Sequence, residues 1–153
     1  MLFACFVDDP PCESDAPTMP EELQFTIRND LRELARVGAE SRAFLVERRV
    51  DDRSLYVALL ALEEVLSNVI RHGFADTDEH EISVSLGLDD GRIEIDVVDG
   101  GRAFDPLSAP EVDLQAPMEQ RAVGGLGIHL LRTMVHEIRY ERAEGRNRLR
   151  LRI

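Results

Sequence analysis

Ala61-Leu62-Glu63-Glu64-Val65-Leu66-Ser67-Asn68-Val69-Ile70-Arg71-His72-Gly73-Phe74 is the stretch on which the fold turns. It continues a helical period that opens behind Asp51-Asp52, a pair suited to cap a helix N-terminus, and that carries Leu55, Leu59, Leu60, Leu62, Leu66, Val69 and Ile70. Gly73 supplies the stop. On such a helix Glu64 and Asn68, four residues apart, project from one face on successive turns and can share one ligand. A carboxylate there can orient or deprotonate a nucleophile, and an amide oxygen is a hard neutral ligand of the kind Mg2+ accepts beside phosphate oxygens and water. Glu63 points about 100° away and reads as ordinary surface charge. Taken alone, the Glu/Asn pair has a plainer and more frequent meaning, a polar stripe on a solvated helix.

Upstream, a short strand is expected over Leu23 to Arg28. Asn29 or Asp30 then caps a first helix whose apolar positions Leu31, Leu34, Ala35, Val37, Phe44 and Leu45 run to about Arg48. Downstream the period changes to two. Ile82, Val84, Leu86 and Leu88 alternate with polar or small residues, Asp89-Asp90-Gly91 makes a turn, and Ile93, Ile95 and Val97 alternate with Glu94 and Asp96. The last strand sets Leu149, Leu151 and Ile153 against Arg148, Arg150 and Arg152. The sheet therefore has one wet face, and helices cover the other. The expected fold class is a two-layer α/β sandwich with a mixed, largely antiparallel sheet and helices on one face.

Two further constellations accompany the helix. Val97-Val98-Asp99-Gly100-Gly101-Arg102-Ala103-Phe104-Asp105-Pro106 runs a strand straight into a glycine-bearing loop. An Asp at the end of a buried strand can accept from an exocyclic amine such as adenine N6, and glycines admit close backbone approach to a ring. By itself a D-G-G is more often a turn with a local Asp cap. Gly124-Gly125-Leu126-Gly127 opens a helix continuing through Ile128, Leu130, Leu131 and Met134. Glycines at a helix N-terminus expose unpaired N–H groups where the helix dipole favours anions, and they serve equally well as a hinge.

Composition narrows the function classes. The chain has 153 residues, 44% of them hydrophobic, enough for one domain with a real core. A formal net charge of -12 repels nucleic-acid backbones and anionic lipid and favours a protein or small-molecule partner. The arginine row Arg146, Arg148, Arg150 and Arg152 shares the wet face with Glu94 and Asp96, so cross-strand ion pairs account for it better than nucleic acid does. Residues 1–21 form an irregular, acidic, Pro-rich tail, and 22–153 the folded domain. The apolar start from Met1 to Val7 has no basic flank and is cut short by Asp8, Asp9 and Pro10, so no signal peptide or membrane span is expected. The two cysteines, Cys5 and Cys12, lie in the tail and suggest neither a disulfide framework nor a zinc site, which fits the cytoplasm. A loop from Asp105 to Val123 with Pro106, Pro110 and Pro117 is long enough to serve as a lid.

In this order the three constellations resemble the GHKL ATPase superfamily, which has the Bergerat ATP-binding fold, and within it the anti-sigma regulatory factor and serine/threonine kinase branch. The resemblance covers about Leu23 to Ile153. Ala61 to Phe74 is similar to the family's N box, which implies Glu64 as catalytic base and Asn68 as the Mg2+ ligand. The D-x-G of the G1 box falls on Asp99 and Gly101 and implies adenine recognition. The G-x-G of the G2 box falls on Gly125 and Gly127 beside the lid and phosphates. The implied ATP-binding set is Asn68, Asp99, Gly101, Ala103, Gly124, Gly125, Leu126 and Gly127. His72 reads as a helix C-terminal cap before it reads as a ligand. Ala103 stands where many relatives have another Gly, His136 replaces a frequent acidic residue, and Asn147-Arg148 occupies the place where many relatives put a Thr near the adenine-binding Asp.

The resemblance implies an ATP- and Mg2+-dependent serine kinase that sequesters a sigma factor and phosphorylates a STAS-domain anti-sigma-factor antagonist. Two alternatives stay open: a partner-switch module that binds ATP without kinase activity, and an ATPase domain split from a larger signalling protein. A homodimer also stays open. No phosphoacceptor His or dimerisation helix pair accompanies the domain, which sets it apart from a complete sensor histidine kinase.

Overall fold

A computed structural model describes residues 22–106, 108 and 125–153. The expected tail over 1–21 with Cys5 and Cys12, most of the proline-bearing loop after Asp105, and Gly124 lie outside the described residues. Five strands form one sheet in the order β1-β2-β3-β5-β4: β1 Glu22–Arg28, β2 Glu81–Asp89, β3 Arg92–Asp99, β4 Glu137–Ala143 and β5 Arg146–Arg152. All four pairings among the described residues are antiparallel, so the mixed character expected of the sheet does not appear there. Helices α1 Glu33–Glu47, α2 Asp52–Asn68 and α3 Gly125–Met134 complete the fold, with α1 packed on α2 and β1, and α2 on β3 and α3.

Period-two alternation determines which face each strand residue takes. Ile82, Val84 and Leu86 of β2 and Ile93, Ile95 and Val97 of β3 are buried beneath Leu62 and Leu66 of α2 and Leu45 of α1. The β2–β3 hairpin closes as read, with Asp90 at φ 48° and Gly91 at φ 74°, the left-handed pair that a two-residue turn of matching twist requires. On the wet face three of the four arginines of the row are in ion pairs. Arg148 meets Asp96, Arg152 lies 2.9 Å from Asp89 and 3.3 Å from Glu94, and Arg150 lies 3.6 Å from Asp96. A hollow of about 540 Å³ on this face is walled largely by these paired charges.

Helix α2 begins where its cap predicts, with the Asp51 side chain accepting from the N–H groups of Arg53 and Ser54. Helix α1 starts later than expected. Its N-cap position is Arg32, without a side-chain cap, because the two candidate caps are engaged elsewhere. The Asp30 carboxylate closes the preceding turn by accepting from Arg32 N–H at 2.9 Å. Asn29 ties β1 to the loop before β2, donating to the Asp78 carbonyl at 3.0 Å and accepting from His80 N–H at 2.9 Å. The last turn of α2 widens into a π-helical turn over Val69–Gly73.

Candidate active site

The end of α2 and the ends of β3 and β5 are tied together by backbone. The Gly73 carbonyl accepts from Arg102 N–H at 2.7 Å, so the loop after β3 closes the helix end, and His72 stands in its last turn. A Cβ on Gly101 would lie 2.5 Å from the Gly73 carbonyl oxygen and 2.8 Å from Asp99 Oδ1. Glycine is required there because two backbone segments meet, a need separate from the expected approach of a ring. At Gly100, next to it, an added Cβ would have nothing within 4 Å.

Between these walls lies a cavity of about 380 Å³, within the usual size range for small-molecule sites. Asn68 and His72 face it from the helix side, and Val97, Asp99, Tyr140 and Asn147 from the sheet side. Asp99 is 4% exposed. Its Oδ1 accepts from Gly101 N–H at 2.8 Å and from Asn147 Nδ2 at 2.9 Å, and no hydrogen bond from the described residues reaches Oδ2. One carboxylate oxygen is therefore left for a donor entering the cavity. On the opposite wall the Asn68 Nδ2 is buried with no hydrogen-bond partner among the described residues. A buried orphan amide costs free energy unless something in the cavity satisfies it.

Glu64 sits one helical turn from Asn68, half-buried, against the first turn of α3. A Cβ on Gly127 would come within 1.8 Å of Glu64 Oε2. Glycine at 127 thus lets the helix N-terminus close onto the carboxylate. Glu63, its sequence neighbour, is exposed as expected. Of the other sequence-derived positions, Gly101 is buried behind Asp99, while Ala103 is exposed and does not line the cavity. Gly125 and Leu126 open α3, and nothing is described of the Leu126 side chain.

Sequence reasoning did not count Asn147, Tyr140 and Arg142 among the site residues, and it missed the strand β4 that carries the latter two. The Asn147 amide donates to Asp99 and to the Arg102 carbonyl at 2.8 Å, and its oxygen accepts from Tyr140 Oη at 2.8 Å and from Arg142 at 2.5 Å. The available signal was the phase of β5: Asn147 shares the inward phase of Leu149 and Leu151. A polar residue at an inward position marks either a defect or a site.

These residues fit a bound Mg-nucleotide. A buried acceptor and an orphaned amide line one cavity of about 380 Å³, and a glycine-bearing helix start adjoins a carboxylate. Among the described residues no group of three or more His, Cys, Asp or Glu could hold a metal. No described helix is long and apolar enough to cross a membrane.

Comparison with known proteins agrees with this geometry. The chain is 32% identical over 101 residues to the serine/threonine-protein kinase BtrW of Bordetella bronchiseptica, a match covering 65% of this chain and 70% of that protein. It is 30% identical over 91 residues to the serine-protein kinase RsbW of Bacillus velezensis, covering 56% of each. The chain thus spans little more than half the length of the RsbW kinases it matches. The fold superposes on the crystal structure of the RsbU and RsbW domains of Rv1364c from Mycobacterium tuberculosis with a TM-score of 0.63 at 21% identity, over 86% of this chain and 31% of that one. Residues 27–153 match the histidine kinase-like ATPase domain, and with the cavity, the Glu64/Asn68 helix and the Asp99 loop in place the chain belongs to that family.

Proposed function

We propose that the chain is an anti-sigma factor with ATP-dependent serine kinase activity, its ATP-binding unit comprising residues 22–153. One observation supports this reading most directly: Glu64 and Asn68 stand one turn apart on α2, Asn68 lining the cavity and Glu64 lying against Gly127 of α3. A carboxylate is thereby placed beside a helix N-terminus, where a terminal phosphate is favoured. Asp99 receives the adenine N6 amine through its unengaged oxygen, and the loop around Gly101 carries Asp99 at the required depth. Asn68 would hold Mg2+, which when bound would neutralise charge on the β- and γ-phosphates. Glu64 takes the proton from a serine hydroxyl as its oxygen bonds to the γ-phosphorus and the bond to the β–γ bridging oxygen breaks, releasing ADP. The serine belongs to a STAS-domain antagonist, and the sequestered partner is a sigma factor, as the family resemblance implies. The net charge of -12 and the ion pairs of Arg148 and Arg152 disfavour nucleic acid as a partner, and a cytoplasmic location accords with a sigma factor and its antagonist.

Glu64→Gln tests the reading, because it keeps shape and most hydrogen bonding while removing the base. In single-turnover assays with γ-labelled ATP and a STAS-domain antagonist, transfer should slow by about a hundredfold or more with ATP affinity unchanged. Unchanged transfer would remove Glu64 from the chemistry, and lost ATP affinity would move it from catalysis to binding. A parent that binds ATP but transfers nothing would be the partner-switch module without kinase activity.

A further inference from the structure

We propose that Asn147 is the positioning residue for Asp99, and that Tyr140 and Arg142 of β4 hold Asn147 in turn, so that nucleobase selectivity is set by the β4–β5 hairpin. This rests on the ATP-binding reading above and goes beyond it. Asn147 is 6% exposed and uses all four hydrogen-bonding positions of its amide, two donated and two accepted. The orientation is forced: Asp99 and the Arg102 carbonyl can only accept, and the Arg142 guanidinium can only donate. Arg142 also donates to the Gly101 carbonyl at 3.0 Å, so one guanidinium grips both the hub and the loop that supplies the second donor to Asp99.

A threonine at this position could donate to Asp99 but has no second donor for the Arg102 carbonyl. With asparagine, both donors to Asp99 converge on Oδ1, and the carboxylate cannot swing without losing them. Asn147 has no hydrogen-bonding capacity left for a ligand, so it acts through Asp99 and not on the base. A held carboxylate meets a purine amine well and a purine carbonyl badly. One free to turn aside is penalised less by the carbonyl, so loosening Asp99 should erode discrimination as well as affinity.

Calorimetric titration of the full chain with Mg-ATP and with Mg-ITP, whose base carries a carbonyl in place of the amine, separates the possibilities. The parent should prefer ATP by about tenfold or more. Asn147→Ala should lose about tenfold in ATP affinity and bring the two nucleotides within about threefold of each other. A purely structural role would lower the Tm and leave the ATP-to-ITP ratio of the folded protein unchanged, and that result overturns the proposal. If Asn147→Ala does not fold, Tyr140→Phe decides, since it deletes one O–H. A ratio narrowed by about twofold to threefold supports the latch, and an unchanged ratio overturns it. A parent that binds neither nucleotide overturns the ATP-binding reading itself, an outcome distinct from a parent that discriminates and a variant that does so equally well.

Discussion

Two asparagines face each other across the cavity, and their surroundings are opposite. Asn147, on the sheet wall, has every donor and acceptor engaged by protein. Asn68, on the helix wall, buries an amide nitrogen that nothing among the described residues satisfies. A fully bonded amide contributes to the stability of the empty protein. An orphaned one costs stability until a ligand arrives. The sheet wall is thus built to be rigid before binding, and the helix wall bears the cost that binding removes.

That contrast breaks if the two walls respond alike to truncation. Asn68→Ala should reduce Mg-ATP affinity by about a hundredfold or more while leaving the Tm of the empty protein unchanged or slightly raised, since the desolvated amide is gone. Calorimetry and thermal unfolding on one preparation check both halves, and a marked fall in Tm would erase the distinction. Gly101→Ala sharpens the same point on the backbone that joins the walls. Its Cβ meets a carbonyl that cannot move aside, so about 1–3 kcal/mol of stability should be lost in urea unfolding, whereas Gly100→Ala, next to it, should be tolerated. The smallest effect belongs to the wet face of the same β3–β5 ladder. Arg148→Ala removes a partly exposed pair with Asp96, to which Arg150 remains as a second partner, and should cost below about 1 kcal/mol, shrinking further in high salt. A larger, salt-insensitive loss would mean that the wet face is covered in solution.

Much of this was legible in the residues. The Asp51 cap, the helix to Asn68 and the β2–β3 hairpin follow from local chemistry, because each element's period matches a uniformly apolar core face. Asn68 and Asp99 were legible as cavity-lining residues, since a helix face and a strand end placed them, whereas Glu64, expected in the same pocket, lies against Gly127 of α3. Strand β4 was not. Of its inward residues only Ile138 packs against the core, while Tyr140 and Arg142 turn to a cavity and a hydrogen-bond hub, so the alternation that marks β2 and β3 is blurred. The resemblance put Asn147-Arg148 near Asp99, but which atoms meet there had no local signal, because the partners of Asn147 lie 48 residues away at Asp99 and on the unread strand. The start of α1 shifted because Asn29 and Asp30 spend their side chains on tertiary and turn contacts that no local rule anticipates.

The order of strands has a bearing on synthesis. Strand β5 is inserted between β3 and β4, so Asp99 and Asn147 leave the ribosome 48 residues apart. At usual elongation rates that is an interval of roughly 2–10 s. During it the edge of β3 is unpaired, and Glu94 and Asp96 on that strand are the charges that discourage it from pairing with another nascent chain. Until β5 pairs, Asp99 has the Gly101 N–H but not the second donor that Asn147 supplies.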